Sequence, residues 1–179
     1  MKNIIILTIL IEFVLLASNT SGQTNGQNQG ESTDLTKVKA ISKWLKNNAV
    51  MLKTVEAGNG FSDLKIFKTI LKDVRIVGVG EATHGASEFF KFKHRMVEFL
   101  VKEMNFNVVA LEASYPACLK INEYVLYGKG DRAQALAGQG FWTWNTKEIS
   151  DLVEWIYKYN KGLPERKRVK FVGFDMQIY

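Results

Sequence analysis

The sequence predicts an α/β chain: a parallel βαβ sheet with flanking helices. Three observations carry this reading. Residues 75–80, 108–111 and 169–174 are short, β-rich and nearly continuously apolar, the pattern of strands covered on both faces. Long stretches of helical periodicity separate them, and parallel strands need such crossovers. Each run then ends on a carboxylate, Glu81, Glu112 or Asp175. Strand C-termini share one edge in a parallel sheet, and ligands bind at that edge.

The elements follow in order. Leu35, Val38, Ile41, Leu45 and Leu52 recur at helical spacing and predict a mostly helical stretch over 35–55, stopped by Gly58-Asn59-Gly60. Ser62 is placed to cap a short helix carrying Leu64, Phe67 and Leu71 on one face. The first strand, 75–80, comes next. Phe89, Phe92, Met96, Phe99, Leu100 and Met104 mark an amphipathic helix over 87–104. The second strand, 108–111, precedes helices expected at 117–127, 132–136 and 147–159. The third strand, 169–174, ends at Asp175.

Composition excludes several classes. With 46% hydrophobic residues, 12% aromatics and 2 Pro, the chain is neither collagenous nor disordered, and one core is within its reach. Cys118 is the sole cysteine, which rules out an internal disulfide and a Cys-rich zinc site. The net charge of +6 is too modest over this length to name a nucleic-acid partner, and none is expected. Residues 1–22 read as a secretory signal: Lys2, an apolar run from Ile4 to Leu16 broken by Thr8 and Glu12, and a small-residue exit through Ala17, Ser18, Thr20 and Gly22. The run is short for a hydrocarbon core that needs about 20 apolar residues. A secreted or periplasmic product without a stable membrane anchor is expected, followed by a polar leader at 23–33 and an α/β domain at 34–179.

The chemistry concentrates in Gly80-Glu81-Ala82-Thr83-His84-Gly85. A carboxylate beside an imidazole fixes its tautomer and stabilises its charged form, as a general base requires. Glu88, Lys91 and Arg95 follow at spacings of one helix face, where a cation could stabilise a developing oxyanion. Glu81, His84, Glu112 and Asp175 could alternatively hold a divalent ion. His84 alone would equally suit a structural role, and three carboxylates could be helix caps.

These residues also resemble the erythromycin esterase family. The resemblance lies in Gly80-Glu81-Ala82-Thr83-His84-Gly85 with Glu88-Phe89-Phe90 and Lys93-His94-Arg95. It continues through Leu111-Glu112-Ala113, Tyr124-Val125-Leu126 with Gly128-Lys129-Gly130-Asp131, Phe141-Trp142-Thr143-Trp144-Asn145-Thr146 with Glu148, and Val172-Gly173-Phe174-Asp175-Met176-Gln177. The resemblance implies hydrolysis of a macrolide lactone or related small-molecule ester, the chemistry of macrolide resistance, without a metal or other cofactor. It implies His84 as the base that activates water, Glu81 and Glu112 as orienting and polarising acids, and Lys93 at a position where relatives often carry arginine, with Arg95 nearby. Glu88, Glu148 and Asp175 are candidates for substrate or electrostatic contacts. Family enzymes are longer and bring another histidine in their second half, so this chain is expected to correspond to their N-terminal part, and an inactive truncated relative is the third reading.

Other constellations do not assemble. There is no Gly-x-Ser-x-Gly elbow around Ser114 and no His-Glu-x-x-His. Cys118 suits an apolar helix face. Trp142 and Trp144 suit either core packing or a substrate wall, and Arg166-Lys167-Arg168-Lys170 suits a solvated turn before a strand. His94 is expected to be structural.

Overall fold

A computed structural model describes residues 35–176; the expected signal segment and polar leader lie outside the described residues. The elements are α1 (Leu35–Asn48), α2 (Ile66–Ile70), α3 (Ser87–Met104), β1 (Val108–Ser114), α4 (Tyr115–Tyr127), α5 (Arg132–Ala137), α6 (Lys147–Asn160) and β2 (Lys170–Asp175). Single 3-10 turns lie at Trp142–Trp144 and Glu165–Lys167. No described helix is long and apolar enough to cross a membrane.

β1 and β2 pair in parallel, with Val108 opposite Lys170 and Leu111 opposite Gly173. The register then slips, so that Ser114 faces Asp175. Gly173 makes this approach sterically feasible: a Cβ there would sit 2.4 Å from the Ala113 carbonyl oxygen and 2.7 Å from that of Ser114. Within the core, the inward residues Ala113, Val169 and Phe171 join Cys118, Ile121 and Val125 of α4 and Ile149, Leu152, Val153 and Ile156 of α6. Buried Asn160 ties the end of α6 to the start of β2. Its Nδ2 donates to the carbonyls of Val125 (2.9 Å) and Val169 (2.8 Å), and its Oδ1 accepts from the Val169 N–H at 2.7 Å. Every polar atom of its amide is thereby satisfied, the condition for burying an amide cheaply.

α3 carries two apolar faces. Phe90 and Val101 join the sheet-side core, whereas Phe92, Met96, Phe99 and Leu100 form a second cluster with Leu64 and Leu71. Its apolar residues thus cover far more than one stripe, which places α3 between the two clusters. Asn105 closes it in the left-handed conformation (φ 60°), a geometry asparagine tolerates better than most residues.

Three expectations change. Residues 75–80 form no ladder. Val77 and Val79 are half-buried against the second cluster and Ile76 is 60% exposed. A strand needs a neighbour for its N–H and C=O groups, and β1 is paired with β2. The described sheet therefore has two strands where three were expected. The first helix stops at Asn48, short of 55. Ser62 does not cap α2: its N-cap is Lys65, without a side-chain bond, although Leu64 and Leu71 are buried and Phe67 half-buried as the periodicity requires.

Candidate active site

The Glu81 carboxylate is the hub. One oxygen is bonded to Nδ1 of His84 and the other accepts from the Lys93 ammonium. Its side chain is 7% exposed, against 57% for His84. A carboxylate this buried requires a compensating charge, and Lys93 provides it from the second turn of α3. A carboxylate acceptor at Nδ1 favours the tautomer with its proton there, which leaves Nε2 as the open ring nitrogen.

The Lys93 ammonium lies 5.2 Å from the centroid of Phe90 and 5.5 Å from that of Trp144, a slot in which aromatic faces add to its attraction. Trp144 is buried. Its ring meets His84 edge-on (6.3 Å, 77°) and Phe90 likewise (5.8 Å, 85°), and its Nε1 donates to the Glu112 carbonyl at 2.9 Å. Glu81, His84, Lys93 and Trp144 are thus gathered beside the C-terminal part of β1. Glu112 joins them through its backbone, its residue lying on the exposed side of the strand. Asp175 ends β2 at the same edge of the sheet. Glu81 reaches this neighbourhood through its pairing with Lys93 and not as the end of a laddered strand.

The remaining candidates lie elsewhere. Arg95 is 1% exposed, and both terminal nitrogens of its guanidinium are committed to structure. It pairs with Asp63 at 2.5 and 2.9 Å and donates to the carbonyls of Thr54 (2.6 Å) and Gly60 (2.7 Å). Two residues along a helix are about 200° around its axis, so Arg95 points away from the side that bears Lys93. The cation at the site is Lys93. Glu88 is exposed in the first turn of α3, a favourable end for an anion. Trp142 is 71% exposed.

Glu148 accepts from the Ser87 hydroxyl at 2.5 Å, which holds its carboxyl below the usual range. Both line a cleft of about 400 Å³ with Glu56, Lys91, His94 and Asp151. Lys91 pairs with Glu56 across it at 2.9 Å. His94 is buried, and desolvation pulls its imidazole down, favouring the neutral form. Cys118 is buried in the core, and burial pushes its thiol up to about 11.

Among the described residues no group of three or more His, Cys, Asp or Glu side chains is arranged to hold a metal ion. Glu81, His84, Glu112 and Asp175 are all described, and they do not form such a group. Sequence reasoning quoted Phe90 only within the family motif and gave neither it nor Ser87 a role. Phe90 stands three residues before Lys93, a spacing that puts the two on one helix face and would have pointed to the cation's aromatic neighbour. Ser87 had no comparable signal.

The family model for erythromycin esterase matches residues 101–179. Over 138 residues the chain is 25% identical to erythromycin esterase type II of Escherichia coli, covering 76% of this chain and 32% of that protein. The chain belongs to the erythromycin esterase family. The chain is also 30% identical over 135 residues to YbfO of Bacillus subtilis (strain 168), provisionally named a hydrolase, covering 75% of this chain and 28% of that one. A crystal structure of a Bacillus cereus protein superposes with a TM-score of 0.71 at 40% identity, covering 78% of this chain and 33% of that chain. A solved structure named as a succinoglycan biosynthesis protein gives 0.71 at 39% identity, covering 76% and 34%. The chain therefore spans about a third of the length of the curated relatives it matches.

Proposed function

We propose that this erythromycin-esterase-family chain supplies the general-base side of a hydrolase site acting on a small-molecule ester or macrolactone. One observation carries the reading: a nearly buried Glu81 carboxylate bonded at once to His84 Nδ1 and to Lys93, beneath an imidazole that stays solvent-accessible. His84 Nε2 takes a proton from water as the oxygen attacks the ester carbonyl carbon. The imidazolium that forms is stabilised through its Nδ1–H bond to Glu81. Lys93 adds positive charge near the oxyanion of the tetrahedral intermediate. As the C–O bond to the leaving group breaks, the imidazolium returns its proton to the departing alkoxide. No metal takes part. The N-terminal segment delivers the protein outside the cytoplasm.

The purified protein is assayed for hydrolysis of esters and macrolactones. General-base help contributes roughly 10²–10⁴-fold, so His84→Ala lowers kcat by at least that factor, and chelators leave the rate unchanged. A fully active His84→Ala overturns the reading. Inactivation by chelator with recovery on adding a divalent ion replaces it with metal-assisted hydrolysis. Intact mass identifies export: a soluble cytoplasmic product that retains Met1–Leu16 contradicts it.

A further inference from the structure

We infer that Trp144 is a positioning residue, setting the orientation of the His84 imidazole and the place of the Lys93 ammonium; the inference rests on the hydrolase reading of that site. His84 and Glu81 stand in a segment with no helix or ladder to hold it, bounded by Gly80 and Gly85, at neither of which would an added Cβ meet another atom within 4 Å. Lys93 and Trp144 hold this segment. Trp144 touches each of the three separate parts of the chain that build the site. Its ring packs against His84 of the loop and against Phe90 and Lys93 of α3, and its Nε1 is fixed on the Glu112 carbonyl of β1.

A buried indole needs an acceptor for its single N–H. The acceptor here is the carbonyl at the register slip between Leu111 and Ser114, so the tether ends on the irregular part of the sheet beside the site. The turn bearing Trp144 leads directly into α6, whose start is capped by the Thr146 hydroxyl accepting from the Ile149 N–H. Trp144 is therefore fixed at its backbone by a capped helix and at its ring tip by β1. Trp142, two residues earlier and 71% exposed, has no such arrangement.

The test uses the full chain with ¹⁵N-labelled histidine, reading the ring nitrogens of His84 at a pH where the imidazole is neutral. His94, which packs on Trp155, is the internal control. The unsubstituted chain shows His84 with its proton on Nδ1. Trp144→Phe keeps an aromatic edge but loses the tether, and Trp144→Leu loses both. Each shifts His84 towards the tautomer mixture of a free imidazole, leaves His94 unchanged, and lowers kcat by roughly 10- to 100-fold with little change in KM, the scale of a misplaced catalytic group. If Trp144→Leu does not fold, Trp144→Phe carries the test. A folded variant that keeps the native tautomer, or one that shifts it with unchanged kcat, overturns the inference. An unsubstituted chain without ester turnover in which Trp144→Phe still shifts the tautomer removes the hydrolase reading and leaves the placement of His84 by Trp144 standing.

Discussion

Replacing Arg95 by methionine removes a guanidinium that is 1% exposed and keeps most of the side-chain volume. Three oxygen-bearing groups lose their partner: the Asp63 carboxylate, whose side chain is 2% exposed, and the carbonyls of Thr54 and Gly60. Gly60 is exposed and Thr54 half-buried, so water can replace much of what the carbonyls lose. Asp63 keeps the Lys53 N–H at 2.8 Å but loses its counter-charge. Breaking a buried pair from one side costs about 3–5 kcal/mol, roughly a fifth or more of the 5–15 kcal/mol that holds a typical domain. Urea unfolding followed by circular dichroism should show that loss. Asp63→Leu combined with Arg95→Met should recover part of it, because no uncompensated charge then remains. The Arg95 guanidinium holds the Asp63 carboxyl well below the usual carboxylate range. The associated stability is therefore present above the unfolded value of about 3.9 and is lost as pH falls below it towards the folded value. Arg95→Met should accordingly show a flatter decline in stability below about pH 4 than the unsubstituted chain. A loss under about 1 kcal/mol at neutral pH, the scale of an exposed ion pair, would refute the reasoning.

Gly173→Ala forces a Cβ to within 2.4 Å of the Ala113 carbonyl oxygen; the backbone must shift, costing about 1–3 kcal/mol, which a thermal melt would register as a drop in Tm, and an unchanged Tm would show that the strands part freely. Asn160→Leu strands the Val125 and Val169 backbone groups in the core, at about 1–3 kcal/mol for each group left unsatisfied, so its denaturation midpoint should fall well below that of an exposed control such as Lys161→Ala. The Cys118 thiol, buried and pushed up to about 11, should resist a thiol-specific chromophore in the native chain at pH 7 and react fully in denaturant; rapid native labelling would contradict the placement.

The helices were legible because their signals are local. The apolar spacing of α3 and α6 lies within single turns, and Thr146 sits where a capping hydroxyl belongs. What escaped the sequence is non-local. Residues 75–80 have the β-rich, apolar composition of a strand, but nothing in them says whether a neighbouring strand is present to accept their hydrogen bonds. The distribution of cations around α3 escaped for a related reason. Lys91, Lys93 and Arg95 are all plausible partners for an anion by spacing alone, yet the fold gives each a different acid: Glu56, Glu81 and Asp63 respectively. All three acids lie in loops that precede α3 in the chain, and only tertiary structure decides which helix face meets which loop.

That division of labour explains how an unladdered segment can hold an imidazole in place. Glu81 has neither the backbone ladder of a strand nor the rigidity of a helix around it. Its position depends on electrostatics delivered from α3, a helix fixed by apolar contacts to two clusters. Lys93 can serve that purpose because Phe90 and Trp144 confine its ammonium and reduce the freedom a long side chain would otherwise spend on forming an ion pair. Burial of Glu81 makes the arrangement self-enforcing: without Lys93 the carboxylate would have to take up a proton or move into water, and in either case His84 would lose the acceptor that fixes its tautomer. The cation is thus required for the imidazole to be oriented at all. Arg95, one face away on the same helix, applies the same physics to Asp63 and yields only stability, because its pair is closed to solvent on both sides while His84 remains open.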